Sequence, residues 1–396
     1  MHREKRPSMK LRKLVFAVVM LAGCGSSSDL SGFVNQVPPP NAGAASFIDP
    51  TSRGVSGLTV GKGVFVAPFA RIQLNGSTLH VGDYSDVQDN VSIEADSARR
   101  VQIGDQVILA HGCTVVGPSV LGAAGAAPVF VGFNAKVEGA SMEPNSMVSP
   151  RARLAPGLVL HSGKRVLPGR NVTTQQEADD IALGKVVDVL PGDVAFMKGV
   201  LTVNIDLAAG YEQLAAEDPS AVLGIGPDPI TPIHPEHFLP TFNGKPTRDE
   251  TFPNRVVGDI GFADAFSTFA SLLGRRDSIR ADEGGPFAFG GQFRVDDEVT
   301  VHALEHSKIS VGNNCHLGTH SVLHGGEDLN DPTPDVTQLG NNIEVGERAV
   351  VFRSTLGDNC VIGAGALLDS CTLPPGTTVP PNTILINNVN EGTITW

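Results

Sequence analysis

The sequence predicts an all-β protein built from two parallel β-helices in a single chain. An aliphatic residue followed by a small residue recurs every six positions in two separate stretches of the chain. A period of six fits neither an α-helix nor the simple alternation of a flat sheet, and it is typical of a triangular solenoid whose walls are short strands. The composition agrees, because 45 glycines with only 18 Phe, 2 Tyr and 1 Trp suit a narrow, repetitive core.

The six-residue repeat divides the chain of 396 residues into two copies. The first copy shows it at Val60-Gly61, Val66-Ala67, Ile72, Val81-Gly82, Val87-Gln88, Ile93, Ile103-Gly104, Leu109-Ala110 and Val115. The second copy shows it at Val311-Gly312, Leu317-Gly318, Leu323, Leu339-Gly340, Val345-Gly346, Val351, Leu356-Gly357, Ile362-Gly363 and Leu368. Each rung buries its aliphatic face only by stacking on its neighbours, so each copy is expected to fold as one unit. We therefore predict one domain at 47–215, a Pro-rich linker at 216–254 and a second domain at 255–396.

The N-terminal residues have the composition of a targeting segment followed by a tether. Basic Met1–Lys13 precedes the apolar run Leu14–Gly23, which is too short to span a bilayer but suits a secretory signal. The run ends at Cys24, in a pattern that resembles the bacterial lipoprotein signal. That resemblance implies a signal peptide at 1–23, a lipid on Cys24 and a flexible tether at 24–46. We expect a lipid-anchored protein of the cell envelope, at the outer membrane facing the periplasm or the cell surface. An ordinary cleaved signal with an incidental cysteine is the alternative.

The net charge excludes one class of function, and the remaining cysteines bear on whether the protein contains disulfides. A net charge of −13 argues against nucleic-acid binding, which needs a basic face. Beyond the predicted signal, the cysteines show no close spacing that would indicate a disulfide framework. An oxidising compartment would permit disulfides, so their status is open, but we interpret them mainly as small apolar residues. These residues are Cys113, Cys315, Cys360 and Cys371.

Histidines and carboxylates are concentrated between Ser278 and Gly325, within a frame of small and aliphatic residues. His302 and His324 lie in this stretch, with Asp282 and Glu283 before them. Several histidines with nearby carboxylates on a rigid scaffold are the ingredients of a hydrolytic-type zinc site. The stretch therefore predicts a metal centre.

Ser278–Gly325 resembles the metal-site region of the gamma-class carbonic anhydrases, and Leu201–Tyr211 resembles the segment that joins the β-helix of that family to its C-terminal helix. The resemblance implies left-handed β-helices with short helical appendages. It implies reversible hydration of carbon dioxide to bicarbonate by a metal-bound hydroxide. It also implies zinc, with ferrous iron as the alternative, held by three histidines, of which one subunit supplies the first and last and its neighbour the middle one.

The histidine pattern of that family is divided between the two copies. In the second copy, His302 and His324 occupy the first and last positions, and Thr319 stands at the middle position. In the first copy only the middle histidine, His111, is kept. Each copy has what the other has lost, so we predict one composite metal site formed by His302, His324 and His111.

The resemblance also assigns roles to the polar residues around this site. Arg280, Asp282 and Glu283 match the Arg-x-Asp-Glu pattern of the family, and Asp296-Asp297 replaces its Gln-Asp pair. Glu305 falls at the position of its proton-transfer glutamate. We expect Glu283 and Glu305 to relay the proton that is released when water ionises. We expect Arg280, paired with Asp282 or Asp297, to fix carboxylate geometry.

Several alternatives remain open from the sequence. His320 stands one residue from the middle position and could complete a single-copy site with His302 and His324. The replaced ligands allow a non-catalytic β-helix lipoprotein with a structural or partner-binding role. The repeat itself is shared with hexapeptide acyltransferases. Two β-helices do not fill the threefold assembly of the family, so a homo-oligomer that builds a pseudo-threefold assembly is also open.

Overall fold

The computed structural model describes residues 44–326 and 336–396. Short, mostly parallel strands stack into six sheets, three for each copy, and these sheets are the walls of two left-handed β-helices. The predicted fold class is confirmed. The predicted signal peptide 1–23, Cys24 and most of the tether 24–46 lie outside the described residues. Within the described part of the chain, no helix has both the length and the apolar character needed to cross a membrane.

The walls of the first β-helix are sheets 1, 2 and 3. Sheet 1 contains, in hydrogen-bonded order, β1 (Phe47–Ile48), β3 (Phe65–Val66), β6 (Asp86–Val87), β9 (Val107–Leu109), β12 (Val129–Val131), β15 (Ser146–Val148), β18 (Lys164–Val166) and β20 (Val186–Asp188). Sheet 2 contains β19 (Asn171–Val172), β16 (Arg153–Leu154), β13 (Lys136–Glu138), β10 (Thr114–Val116), β7 (Ser92–Glu94) and β4 (Arg71–Gln73). Sheet 3 contains β17 (Val159–Leu160), β14 (Ser141–Met142), β11 (Ser119–Leu121), β8 (Val101–Ile103), β5 (Leu79–Val81) and β2 (Leu58–Val60).

The walls of the second β-helix are sheets 4, 5 and 6. Sheet 4 contains β21 (Ile225–Gly226), β24 (Arg255–Gly258), β26 (Ser278–Ala281), β29 (Thr300–Ala303), β32 (Val322–Gly325), β35 (Val350–Phe352), β38 (Leu367–Asp369), β41 (Thr383–Ile386) and β42 (Val389–Thr393). Sheet 5 contains β23 (Lys245–Pro246), β22 (Thr241–Phe242), β25 (Ile260–Phe262), β27 (Phe287–Phe289), β30 (Lys308–Val311), β33 (Val336–Leu339), β36 (Thr355–Leu356) and β39 (Thr372–Leu373). Sheet 6 contains β28 (Arg294–Val295), β31 (His316–Leu317), β34 (Glu344–Val345), β37 (Val361–Ile362) and β40 (Thr378–Val379).

The stretch 216–254 differs from the predicted linker. It contributes β21, β22 and β23 to the sheets of the second β-helix, which therefore begins before residue 255. Ile225 pairs with Val256, and Phe242 pairs with Phe262. Ile225 and Phe242 are buried in the same core as the later rungs. The two residues therefore belong to a first rung of the second solenoid. The prolines of this stretch do not prevent its strands from forming.

Each β-helix has its own core of stacked aliphatic residues, as the repeat predicts. The requirement for a small residue after each aliphatic residue is steric. A β-carbon at Gly82 would lie 2.4 Å from the carbonyl carbon of Gly104 on the next rung, so only glycine fits there. The four cysteines of the described residues are buried and unpaired, which agrees with their interpretation as small apolar residues.

Three helices of the described residues flank the sheets, and two of them add a buried residue to a solenoid core, Ala178 and Phe269. The helices are α1 (Gln175–Asp179), α2 (Pro191–Glu217) and α3 (Phe266–Ser271), and a 3-10 turn spans Ile181–Leu183. The long helix α2 follows the first β-helix, where the sequence predicts a helical appendage. It packs along sheet 1, with Tyr211 stacked 5.7 Å from Phe65 between ring centroids.

The two β-helices pack against each other through sheet 1 and sheet 4. Outward-facing Ile108 and Met147 of sheet 1 share one buried apolar cluster with Val350 and Leu367 of sheet 4. Phe196 of α2 belongs to the same cluster. This packing brings the corner after β9 of the first copy next to β29 and β32 of the second.

Candidate metal centre

Three buried histidines meet where the two β-helices pack together. His302 on β29 and His324 on β32 are direct partners in the parallel ladder, so their side chains lie on the same face of sheet 4. His111 follows β9 and comes from the opposite β-helix. One ring nitrogen of each histidine lies within 4.8 Å of the others. Their exposed fractions are 1%, 2% and 3% for His111, His324 and His302, so water has little access to these rings.

Each imidazole has one nitrogen near an oxygen atom that can orient the ring. His111 Nδ1 lies 3.1 Å from Asp89 Oδ2, and His302 Nε2 lies 3.3 Å from Asp282 Oδ1. His324 Nδ1 lies 2.6 Å from the carbonyl oxygen of Gly325. Carboxylate and carbonyl partners of this kind fix the tautomer of metal-ligating histidines.

The other ring nitrogens face one another. His302 Nδ1 and His324 Nε2 are 3.4 Å apart. His111 Nε2 is buried and has no hydrogen-bond partner among the described residues. A buried polar atom without a partner is costly, and a metal ion would satisfy it. Three imidazoles arranged in this way fit zinc or ferrous iron.

Burial keeps these histidines neutral near pH 7. It lowers the pKa of His111 to about 4, although the carboxylate of Asp89 opposes the shift. Burial also lowers the pKa of His302 and of His324, with Arg280 the next cause for His302 and His111 for His324. Because neutral imidazole is the form that binds a metal, protons compete weakly for these ligands.

A buried arginine joins the carboxylates of the two copies. Arg280 donates from Nε to Asp89 Oδ1 at 3.0 Å and from Nη2 to Asp89 Oδ2 at 2.8 Å, and from Nη1 it donates to Asp282. Burial by itself raises the pKa of a carboxyl group, but the Arg280 guanidinium holds the pKa of Asp89 and of Asp282 below the usual range. Both carboxylates are therefore ionised and can hold the histidine rings beside them.

Asp297 does not take part in this network, so of the two partners expected for Arg280, Asp282 and Asp297, only Asp282 is found. Asp297 is exposed, and its Oδ1 accepts a hydrogen bond from the backbone nitrogen of Arg275 at 3.0 Å. The second carboxylate partner of Arg280 is Asp89 of the first copy, which we did not assign to the site. A signal for it is present in the sequence, because the first copy keeps the Gln-Asp pair as Gln88-Asp89.

Known proteins are similar in sequence to parts of this chain. The chain is 32% identical to a carbonic anhydrase of Methanosarcina thermophila over 202 residues, which cover 44% of this chain and 77% of that protein. The chain belongs to the gamma-class carbonic anhydrase family. It is also 27% identical over 144 residues to the carboxysome assembly protein CcmM of a Nostoc species, covering 34% of this chain and 23% of that one. It is 29% identical over 184 residues to the bifunctional protein GlmU of Methylococcus capsulatus, covering 43% and 36%.

Two further comparisons carry less information. A solved hexapeptide transferase family protein of Anaplasma phagocytophilum aligns with 22% identity and a TM-score of 0.32, over 39% of this chain and 81% of that chain. No protein-family model matches the sequence.

His320 does not join the other histidines in this family member. It lies at a corner of the second β-helix with φ 57°, and its Nδ1 is 3.1 Å from Glu298 Oε2. Its carbonyl oxygen accepts a hydrogen bond from Asn134 of the first copy. The single-copy arrangement of His302, His320 and His324 is therefore not formed among the described residues.

The two glutamates that the family resemblance assigns to proton transfer lie close to the histidines. Glu283 is buried, and its Oε2 lies 3.7 Å from His302 Nε2. Burial, followed by the negative charge of Glu305, raises the pKa of Glu283 well above its usual range. Glu305 is half-buried. A carboxyl group with a raised pKa keeps its proton to a higher pH than an ordinary glutamate does.

Two other groups near the site were not expected. The hydroxyl of Tyr211, on α2, donates a hydrogen bond to Asp282 Oδ2. His234 Nδ1 lies 2.8 Å from the buried carboxylate of Asp228, whose hydrogen bond raises the pKa of His234. The backbone of Glu283 is a further, smaller cause of the raised pKa of His234. Tyr211 falls in a segment with a family resemblance, whereas no sequence signal in the Pro-rich stretch 216–254 singles out His234.

Proposed function

We propose that this protein is a metal-dependent carbonic anhydrase whose site is shared by the two β-helices of one chain. The proposed reaction is the reversible hydration of carbon dioxide to bicarbonate. His111, His302 and His324 would hold zinc, with ferrous iron as the alternative. The observation that carries the proposal is the meeting of three buried, neutral imidazoles from two copies that each lack part of the set.

The surroundings of the histidines suit this chemistry. A zinc ion held by three histidines supplies the Lewis acidity that lets a water molecule ionise near neutral pH. Arg280 holds Asp89 and Asp282 in their ionised forms, and these carboxylates orient His111 and His302.

Phe133 adds an apolar wall that suits an uncharged substrate. The centroid of its ring lies 5.6 Å from that of His111 and 4.7 Å from that of His324. Glu283, whose Oε2 lies 3.7 Å from His302 Nε2, would accept a proton and pass it to Glu305.

The metal content of the purified full-length protein and its rate of carbon dioxide hydration test the proposal. We expect about one zinc or iron ion per chain, with loss of both metal and turnover in His111→Ala. His161→Ala is the matched control, because the side chain of His161 is 51% exposed on the same β-helix. A His111→Ala protein that keeps its metal would contradict the composite site.

A second candidate function is a non-catalytic role in assembly or partner binding. The similarity to CcmM of Nostoc, whose name describes an assembly protein, favours it. Purified protein that stays free of metal after incubation with zinc and with ferrous iron would support this role over the enzyme. Acyl-CoA turnover would instead support an acyltransferase.

We also propose that the protein is anchored to the outer membrane through a lipid on Cys24. The support for this is the sequence pattern before Cys24. Mass spectrometry of the N-terminal peptide tests it, since a lipidated Cys24 adds the mass of its acyl chains and Cys24→Ser does not.

A homo-oligomer is not needed for the proposed site, because one chain supplies all three histidines. Light scattering of the purified protein measures the oligomeric state.

A further inference from the structure

A groove of about 690 Å³ runs beside the contact between the two β-helices. Its walls include Arg151 and Arg153 of the first copy, Arg348 of the second copy, and Trp396. None of its lining residues belongs to the three-histidine cluster. The volume is in the range of sites that bind small molecules, which is about 300–1,000 Å³.

Arg151 is the unusual residue of this groove. It follows β15, is 5% exposed, and its guanidinium lies 5.5 Å from the centroid of the Trp396 ring. Its Nε has no hydrogen-bond partner, and no carboxylate lies within ion-pair distance of it among residues 44–326 and 336–396. Burial, together with the positive charge of Arg348, lowers the pKa of Arg151 to about 10.

Other buried arginines of the chain do have carboxylate partners. Arg165 contacts Asp193 at 2.6 Å, and Arg280 contacts Asp89 at 2.8 Å. A buried charge without a counter-ion is costly, which makes an unpaired one the exception. Arg151 therefore lacks a partner that the fold provides to arginines of similar burial.

The charges around Arg151 do not supply that partner. Glu138 is shared by Arg153 at 2.7 Å and Lys136 at 3.4 Å. Glu347 contacts Arg348 at 3.4 Å, and both side chains are largely exposed. The groove is therefore locally basic in a chain whose net charge is −13. A concave basic surface of this kind raises the local concentration of anions.

We propose that this groove binds a small anion that carries carboxylate or phosphate groups, with Arg151 as its anchor. A guanidinium presents several donors in a planar fork that matches either oxyanion. Trp396 lines the same groove and its ring lies beside the Arg151 guanidinium, while its indole Nε1 is buried and has no hydrogen-bond acceptor among the described residues. The groove thus offers a charge and directed donors that nothing in the described chain occupies.

The chain contains a single tryptophan, so tryptophan fluorescence, excited at a wavelength that the two tyrosines do not absorb, reports on this groove. The purified full-length protein is titrated with inorganic pyrophosphate and, separately, with citrate at constant ionic strength. We expect a saturable change in tryptophan fluorescence with at least one of them. A response to pyrophosphate alone assigns a phosphate ligand, and a response to citrate alone assigns a carboxylate ligand.

Substitutions identify the anchor. We expect Arg151→Gln to weaken binding by roughly 10-fold or more, since hydrogen bonds to charged groups are the strong ones. Arg99→Gln is the matched control, because it removes the same charge from an exposed arginine of the first β-helix that does not line the groove. Circular dichroism checks that Arg151→Gln folds. If it does not, Arg348→Gln is measured instead, and we expect it to weaken binding severalfold.

Three results would overturn the proposal. They are the absence of a saturable response to both anions, an undiminished affinity in the folded arginine variants of the groove, and an equal loss of affinity in Arg99→Gln. The last result would show that anion binding depends on the overall charge of the protein rather than on this groove.

Discussion

Asp89 offers the sharpest test of how the two β-helices are joined, because its buried carboxylate contacts three groups at once. It accepts hydrogen bonds from Ser278 Oγ at 2.5 Å and from Arg280 at 2.8 and 3.0 Å, and it lies 3.1 Å from His111 Nδ1. Asp89→Asn removes the negative charge and leaves Arg280 with Asp282 alone. Breaking a buried ion pair in this way costs about 3–5 kcal/mol of unfolding free energy. Losing the partner of a metal-ligating histidine also lowers metal affinity by about 10- to 100-fold.

Urea unfolding followed by circular dichroism measures the loss of stability, and competition with a chromophoric chelator measures zinc affinity. Asp96→Asn is the control, because Asp96 is paired with exposed Arg99 on the same β-helix, and we expect its unfolding free energy to match wild type. Arg280 lowers the pKa of Asp89 in the folded protein. The ionised carboxylate of Asp89 therefore stabilises the fold above about pH 4. The difference from wild type should therefore shrink as the pH falls below that value.

Two outcomes would refute this reasoning. If Asp89→Asn unfolds at the same urea concentration as Asp96→Asn, the ion pair across the interface does not hold the β-helices together. If stability falls while zinc affinity is unchanged, Asp89 does not position His111.

Three other predictions concern groups around the site and at the interface. Glu283→Gln should lower the maximal rate of carbon dioxide hydration in dilute buffer, and concentrated imidazole buffer should restore part of it; an unchanged stopped-flow rate would argue against Glu283 as the proton carrier. Burial raises the pKa of Asp277 to about 8, so the folded protein binds a proton that the unfolded chain has released, and wild type loses stability as the pH rises from about 4 to 8. Asp277→Asn should remove that loss of unfolding free energy, which is about 1.4 kcal/mol per pH unit and reaches several kcal/mol over this range. An equal effect of the substitution at pH 5 and pH 8 would contradict this prediction. Tyr211→Phe removes a buried donor to Asp282 and should destabilise the protein by about 1–3 kcal/mol in urea unfolding, whereas Tyr84→Phe, at a half-buried position, serves as the control and should change little.

The fold could be predicted from the sequence because it depends on a short-range pattern, and the division of the histidines could be predicted because the resemblance to the family marks their positions. The repeat of six places one aliphatic residue inward per wall, and a small residue such as Gly82 has no room for a side chain beside the next rung. Once the strands stack, His302 and His324 must be neighbours on one sheet. The loss of the middle histidine in one copy and its presence at His111 in the other then point to a site between copies.

The partners of the polar residues could not be read in the same way. Arg280 has two candidate carboxylates in its own copy, Asp282 and Asp297, and the pattern does not say which one faces it. The packing of sheet 1 on sheet 4 decided instead that Asp89 of the other copy completes the network. His320 lies at a corner of the second β-helix, where its ring faces Glu298 of the same copy rather than His302 and His324.

Two triangular solenoids could be predicted from the sequence, because the same steric requirement recurs in every rung. The three histidines proposed as metal ligands could be named as well, because the family resemblance marks their positions. The tertiary structure alone decided which buried charges meet, how α2 brings Tyr211 to Asp282, and why Arg151 is left without a carboxylate. Those contacts join residues far apart in the chain, and they depend on how two finished surfaces pack, which no local period encodes.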